Sequence, residues 1–255
     1  MGFKSEDLQK IQLDAYRKIA ECIGEESEEM FNHIVSDEML NISNADGISF
    51  YVKRGDTLEF ILMKNKSMQF NKGGIYKKNS FPAPIQLFDE DGNPEHSAIV
   101  AHSVNTEKTV TVKDAYKVKG FDFSGAKIFD KKTGYRSKSV LAMPIIDYQG
   151  KCQGAIQMIN AQDFETGKII EFNKQIVKDL ENFTTQVGSY INQRKLLKDM
   201  EDLFEALIKL IAKAIDKKSY YTGKHCERVP VLTTMISSEL CKQKEGNFKN
   251  FTLNK

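Results

Sequence analysis

The chain has 255 residues, of which 40% are hydrophobic and 28% charged, enough apolar material for one large or two modest cores. Lysine plus arginine (37) nearly balances aspartate plus glutamate (35), a formal net charge of +2, which argues against a nucleic-acid partner, because phosphate backbones are met by clustered basic faces. The longest apolar run, Val140–Ile146, contains Pro144 and is far shorter than the ~20 residues of a membrane-spanning helix.

In chain order, MGFKSEDLQKIQLD is polar and amphipathic and lacks the apolar centre of a signal peptide. Glu6 stands where a myristoylation signal has Ser or Thr, so a cytoplasmic location is expected. Leu8, Ile11, Ala15, Ile19 and Ile23 recur at three-to-four spacing up to Gly24, which predicts an N-terminal helix over 1–24. Ser27, followed by Glu28 and Glu29, reads as the N-cap of a second helix. Its apolar face would be Met30, Phe31, Ile34, Val35, Met39 and Ile42.

From Ala45 the period changes to two. Ile48, Phe50 and Val52 alternate, Arg54-Gly55-Asp56 turns, and Leu58, Phe60 and Leu62 alternate again, a hairpin. Residues 64–93 are irregular, with Gly73-Gly74, Pro82 and Pro84. A short helix is expected over 95–106, a strand over 109–112, and a further helix capped by Ser124 and stopped near Gly134. Residues 139–146 and 152–160 are two apolar strands joined at Asp147-Tyr148-Gln149-Gly150.

From Lys168 one long helix is expected. Ile176, Leu180, Phe183, Val187 and Tyr190 step by four and three, and the register runs on through Leu197, Phe204, Ile208, Ile211 and Ile215, interrupted by Arg194 and Glu201. This is a coiled-coil pattern, roughly 70 Å long at 1.5 Å per residue. A stripe of that length must be covered, and a homodimer through 176–215 is expected, the alternative being a helix that folds back on its own domain.

Four cysteines, Cys22, Cys152, Cys226 and Cys241, form no CxxC pair and read as reduced thiols. Cys152, on a predicted strand, is the one candidate redox nucleophile, with no histidine near it in sequence.

The stretch FDKKTGYRSKSVLAMPIIDYQGKCQGAIQMIN from Phe129, with AIVAHSVNTEKTVTVKDAY from Ala98 upstream, resembles GAF domains, in particular those of cyclic-nucleotide phosphodiesterases. The resemblance covers 25–187. It implies an α+β sandwich, a six-stranded antiparallel sheet with helices on both faces and a small-molecule pocket on one side. It also implies ligand contacts at Asp130, Thr133 and Ser137 around the short helix, backbone at Ile99 and Val100, and Gln157 on the last strand. The chemistry is suitable, since these side chains complement a purine edge and helix-start amides can hold a phosphate. Read without the resemblance, Asp130 is equally a solvent-facing helix-end residue, Thr133-Gly134 a helix stop, and Gln157 a residue of a solvated face. The sequence departs from the cyclic-nucleotide-binding members in one respect: Asn160 is followed by Ala161, and after Phe172 the expected acidic pair is Ile176-Val177.

Further on, AIDKKSYYTGKHCERV at 214–229 resembles the opening of HD-GYP domains, bacterial cyclic di-GMP phosphodiesterases. Ala214, Ile215, Asp216, Lys218, Tyr221, Thr222, His225, Arg228 and Val229 match. The resemblance implies that His225 is a metal ligand of a two-metal site, of Fe or Mn type, in a full-length parent. No histidine follows His225, and one ligand cannot fix two ions, so this chain alone is expected to be inactive as a hydrolase. The expected organisation is a helix (1–24), a sensor domain (25–187), a coiled-coil linker (188–204) and the start of an HD-GYP domain (205–255). The expected role is a small-molecule-sensing module with a signalling helix; the alternative is a dimerisation scaffold that binds nothing.

Overall fold

The computed structural model describes residues 5–21, 27–73, 82–218, 225–243, 245–246, 248–249 and 251–252. The chain divides into two units, 1–194 and 195–255.

In the first unit, α1 (Ser5–Glu21) and α2 (Glu28–Ser43) precede the β1 (Ala45–Arg54) and β2 (Thr57–Asn65) hairpin. Ser27 is the N-cap of α2, and its hydroxyl accepts the Met30 amide at 3.2 Å. The expected inward face of α2 is buried at Phe31, Val35, Met39 and Ile42, but Met30 is exposed. The end predicted for the first helix, Ile23-Gly24, lies outside the described residues. The sheet continues with β3 (Phe70–Gly73), β4 (Ile85–Gln86), β5 (Val110–Val112), β6 (Val140–Ile146) and β7 (Cys152–Ala161). All pairings are antiparallel, in the order β3-β2-β1-β7-β6-β5, with β4 also on β2. The sheet thus has seven strands rather than six, the extra one being the two-residue β4.

Two cores lie on its two faces. On one, Ile48, Phe50, Leu141, Met143, Ile156 and Met158 meet α1, α2 and the first part of α5 (Lys174–Lys218). On the other, Tyr51, Val140, Ala142 and Ala155 meet α3 (Ile99–Thr106), with Phe123 at the cap of α4 (Ser124–Thr133).

Three boundaries differ from expectation for local reasons. The helix foreseen over 95–106 begins only at Ile99, because Glu95 donates its amide to Leu87 O and its carboxylate accepts the Ser97 amide. Ser124 is the first residue of α4 and not its cap; Phe123 is the cap residue, and the Asp122 carboxylate takes the Ser124 amide and hydroxyl. The long helix begins at Lys174 and not Lys168. Gly167 has φ +66, Ile169 forms a bridge with Gln162, and Ile170 donates to Ala161 O. Asn173 then caps α5 by accepting the Ile176 amide at 2.8 Å. Gly134 does end α4, in the left-handed conformation, as a helix-stop glycine should.

The first half of the expected interhelical stripe is already covered within the domain. Ile176, Leu180, Phe183 and Val187 are buried in the core under the sheet. Arg194, expected as a polar break in a seam between helices, lies over the Phe31 ring at 5.3 Å. The positions at which the sequence departs from the cyclic-nucleotide-binding members are apolar core as well: Ala161 and Ile176 are buried there beside Phe172, and Val177 packs against them.

In the second unit, the distal part of α5 carries large apolar residues that are all exposed, among them Leu203 at 71% and Leu210 at 64%. It is followed by α6 (His225–Cys241).

The seating of α5 has a tight point. A Cβ on Gly188 would fall 2.7 Å from Ile146 O. Gly188→Ala therefore destabilises the domain, by about 1–3 kcal/mol of overpacking less the ~1 kcal/mol gained in helix propensity. A urea midpoint at or above that of the wild type would show that α5 is not held there.

Candidate functional site

The α4–β6 connection brings two of the predicted site residues into direct contact. Asp130 is 3% exposed. Its carboxylate accepts the Ser137 amide at 2.7 Å, the Ser137 hydroxyl at 3.0 Å and the Tyr116 hydroxyl at 3.0 Å. Arg136 lies flat against Tyr116, 3.3 Å from the ring centroid, and reaches Asp114 at 3.2 Å. A buried carboxylate needs such donors, and here the protein supplies all of them. Asp130 is thus neither the solvent-facing residue of the simpler reading nor a free acceptor; it closes the loop on itself. Thr133 stays apart: it is exposed and donates to Phe129 O within its own helix at 2.9 Å.

Ile99, Val100 and Gln157 belong to the α3 face of the sheet. Ala98 caps α3 without a side-chain bond, and the side chains of Ile99 and Val100 are buried. Only the first-turn amides of α3 could therefore meet a ligand. Gln157 alternates with Ala155 and Ile159, both in the core beneath α3, so it points to the α3 side and not to a solvated face. It is half-buried, and its carbonyl accepts the Tyr51 hydroxyl at 3.2 Å. Burial pushes the Tyr51 phenol well up, so it remains a neutral donor. Clefts of about 430 Å³ beside Pro144, Glu181 and Thr185, and about 340 Å³ beside Lys18, Glu38 and Phe164, include none of the predicted ligand residues.

Sequence reasoning missed a second polar cluster behind this loop. Asp46, 2% exposed, accepts the Ser67 amide at 3.0 Å, the Ser67 hydroxyl at 2.6 Å, Asn65 Nδ2 at 3.2 Å and the Tyr135 hydroxyl at 2.5 Å. Asn160 donates to the same Tyr135 oxygen at 2.9 Å and to Arg136 O at 2.8 Å, and accepts the Lys138 amide at 2.7 Å. Asn160 does this with φ +55, a conformation Asn tolerates better than most side chains. The β1, β2–β3 and β7 ends are thereby tied to residues 135–138. Asp46 and Tyr135 are too far apart in the chain for any local spacing to reveal them; the one legible sign was an Asn at the end of a strand.

Cys152 is partly buried, and its thiol donates to Gly154 O at 3.2 Å. Burial pushes its pKa up, the opposite of what an activated nucleophile needs. For the metal reading, the side chain of His225 and residues 219–224 of the motif lie outside the described residues. Among the described residues no three His, Cys, Asp or Glu side chains converge to hold a metal ion.

No family model matches the chain. In solved structures it is similar to the GAF domain of a phosphoenolpyruvate-protein phosphotransferase from Coxiella burnetii, with TM-score 0.55 and 11% identity over 77% of this chain and 99% of that one. It is also similar to the free methionine-R-sulfoxide reductase of Neisseria meningitidis, with TM-score 0.51 and 10% identity over 78% of this chain and 95% of that one. The fold is that of a GAF domain. By sequence, the chain is 32% identical over 91 residues to a cGMP-specific 3',5'-cyclic phosphodiesterase of Drosophila melanogaster, covering 36% of this chain and 7% of that protein. It is 28% identical over 151 residues to the dual 3',5'-cyclic-AMP and -GMP phosphodiesterase 11A of Takifugu rubripes, covering 54% of this chain and 16% of that protein. The chain thus spans less than a fifth of either relative's length. Among the described residues, no helix of this GAF-fold chain is long and apolar enough to cross a membrane.

Two predictions follow from the site. Tyr135→Phe leaves Asp46 and Asn160 each short of a partner and costs about 1–3 kcal/mol in chemical denaturation, while Thr133→Ala stays within about 0.5 kcal/mol of wild type; equal effects would refute the clamp. In a variant that keeps Cys152 alone, the thiol alkylation rate rises with pH through a midpoint above the ordinary value of about 8.5, because the raised pKa leaves little thiolate near neutrality. A midpoint below that value would restore Cys152 as a nucleophile candidate.

Proposed function

We propose that this chain is a regulatory GAF module that binds a small molecule of the cyclic-nucleotide class and passes its state along α5 to an output domain. The observation that carries this reading is the division of labour along α5. Its first four turns are rooted in the sensor core, and the same helix continues with a second, uncovered apolar stripe. At about 100° per residue, Leu196, Leu197, Met200, Leu203, Phe204, Leu207, Ile208, Leu210 and Ile211 fall within an arc of roughly 160°. The opposite side carries charges, including the Glu205–Lys209 pair at 3.0 Å.

The occupant of that arc is a second copy of this chain. The arc is wider than the seam of a two-stranded coiled coil, which uses two positions in seven, so it calls for more than one neighbouring helix. α6 offers Val229, Leu232 and Ile236, all exposed, at helical spacing on one face. A bundle formed by α5 and α6 of two protomers is the arrangement in best accord with these faces. The output is the HD-GYP domain resembled by residues 214–229, a cyclic di-GMP phosphodiesterase of a longer bacterial cytoplasmic protein. The residues described here do not make the two-metal site such an enzyme needs, so no hydrolytic step is assigned to them. Support for the ligand class comes from the cyclic-nucleotide phosphodiesterase relatives of Drosophila and Takifugu and from the half-buried Gln157 amide on the α3 side of β7.

The second reading, a scaffold that dimerises and binds nothing, is favoured by one observation: Asp130, Ser137, Thr133 and Gln157 all have internal hydrogen-bond partners. A thermal unfolding series against cAMP, cGMP and cyclic di-GMP separates the two. A ligand at 100 times its Kd adds about 2.7 kcal/mol, a shift of roughly 5–10 °C for a chain of this size. The shift should be diminished in Gln157→Ala; no shift with any of the three leaves the scaffold. In sedimentation at micromolar concentration the wild type should be dimeric and Leu203→Glu/Leu210→Glu monomeric, and a monomeric wild type would defeat the bundle.

A further inference from the structure

We propose that His96 and His102 form a chelating site for a late divalent transition-metal ion at the start of α3, independent of the ligand reading above. Six residues apart, the two would not share a face if both were helical. They meet because 95–98 is folded back along α3. Asn105 Nδ2 donates to both Leu87 O (2.7 Å) and Glu95 O (3.0 Å), and the Asp122 amide donates to Ser97 O at 2.8 Å. The result is a separation of 3.0 Å between the two Nδ1 atoms, with ring centroids 4.8 Å apart and planes inclined at 67°. Phe121 stands edge-on to His102 at 5.3 Å and backs its ring.

The chemistry of two converging imidazole nitrogens is restricted. Without an ion, one Nδ1 must carry a proton and the other must accept it, so the pair tolerates one positive charge but not two. His102 is pushed toward the neutral form by partial burial and then by His96, which lowers the proton competition for a metal. An ion about 2.0–2.1 Å from each nitrogen would subtend an N–metal–N angle of roughly 95° across a 3.0 Å bite. That is nearer to the cis positions of tetragonal Ni²⁺ or Cu²⁺ than to the wider angle of tetrahedral zinc. The start of α3 is the positive end of its dipole, which works against a cation. The carboxylate of Glu95, next to His96 in the chain and held below the usual range by the Ser97 amide it accepts, supplies negative charge on the same segment. His96 is exposed, so the remaining coordination positions are open to water or to an external donor.

The test is calorimetric titration of the full chain with Ni²⁺ at pH 7.5, using wild type, His96→Asn and His102→Asn. The expected result is one ion per chain, bound at least tenfold more weakly by either variant. Affinity should also fall as pH is lowered, because both imidazoles must be neutral to bind the ion. Because His102 contacts Phe121, the exposed His96→Asn variant keeps the test valid if His102→Asn fails to fold. As an independent readout, one equivalent of Cu²⁺ should give an electron paramagnetic resonance spectrum with hyperfine coupling to two imidazole nitrogens in wild type and one fewer in His96→Asn. Equal affinity and stoichiometry in wild type and His96→Asn, or no binding by the wild type, would overturn the site and leave the pair as a shared hydrogen bond.

Discussion

The docking of the first part of α5 beneath the sheet is the contact on which the rest of the domain depends. Leu180, Phe183 and Val187 are fully buried there, and burial of each such side chain contributes about 1.5–3 kcal/mol relative to exposure. Without this layer, the apolar face made by Leu141, Met143, Ile145, Ile156 and Met158 would be covered by α1 and α2 alone. The close approach of Gly188 to the Ile146 carbonyl fixes how near the helix can lie. The Thr184 hydroxyl, donating to Leu180 O at 2.7 Å and lying 3.0 Å from Met143 Sδ, is accommodated in the same contact. A helix so seated cannot shift along the sheet without disturbing β6, because packed cores have discrete arrangements rather than continuous ones.

Beside the second apolar core, the loop that enters β6 is held by polar closure. Asp130 with Ser137, and Asp46 with Tyr135 and Asn160, are two buried carboxylate centres on either side of residues 133–138. Such networks are costly when partly satisfied and rigid when complete. Together they position the loop that enters β6. In the cyclic-nucleotide-binding GAF domains that the sequence resembles, an ion pair serves as a tether after the last strand; here Ala161, Phe172 and Ile176 are apolar and buried. A neutral hydrophobic contact and a hydrogen-bonded knot stand in its place, and neither is screened by salt as an exposed ion pair would be.

How much of this was legible in the chain follows from the range of each interaction. The α2 cap at Ser27 and the hairpins β1–β2 and β6–β7 rest on residues within a few positions of one another, and their signals are local. The stripe of α5 was also legible, but not which molecule covers it: Val187 and Phe204 belong to the same four-three register, yet one is buried in its own domain and the other is 63% exposed. Periodicity reports that a face is apolar and leaves its occupant open. The Asp46–Tyr135 bond joins residues 89 apart, and the histidine pair depends on a loop folding back along its helix. Neither leaves a spacing that could be read. Asp130 and Ser137 were located by resemblance, yet the resemblance did not convey that their polar atoms would face each other.

The position of β6 between the two cores bears directly on the proposed sensing role. Val140 and Ala142 look toward α3, while Leu141, Met143 and Ile145 look toward α5, so one strand belongs to both environments. Its entry is fixed by the Asp130–Ser137 contact and by the bond from the Lys138 amide to Asn160. Its exit, Ile146, is the carbonyl against which Gly188 rests. A ligand on the α3 side can alter α5 only by the difference in its affinity for two arrangements of this strand. Since α5 is continuous from Lys174 to Lys218, a change in its seating at Gly188 has no intervening break at which to dissipate before the exposed stripe. In the proposed sensing role, β6, an inner strand between β7 and β5, is the element that would couple a ligand on the α3 side to the seating of α5.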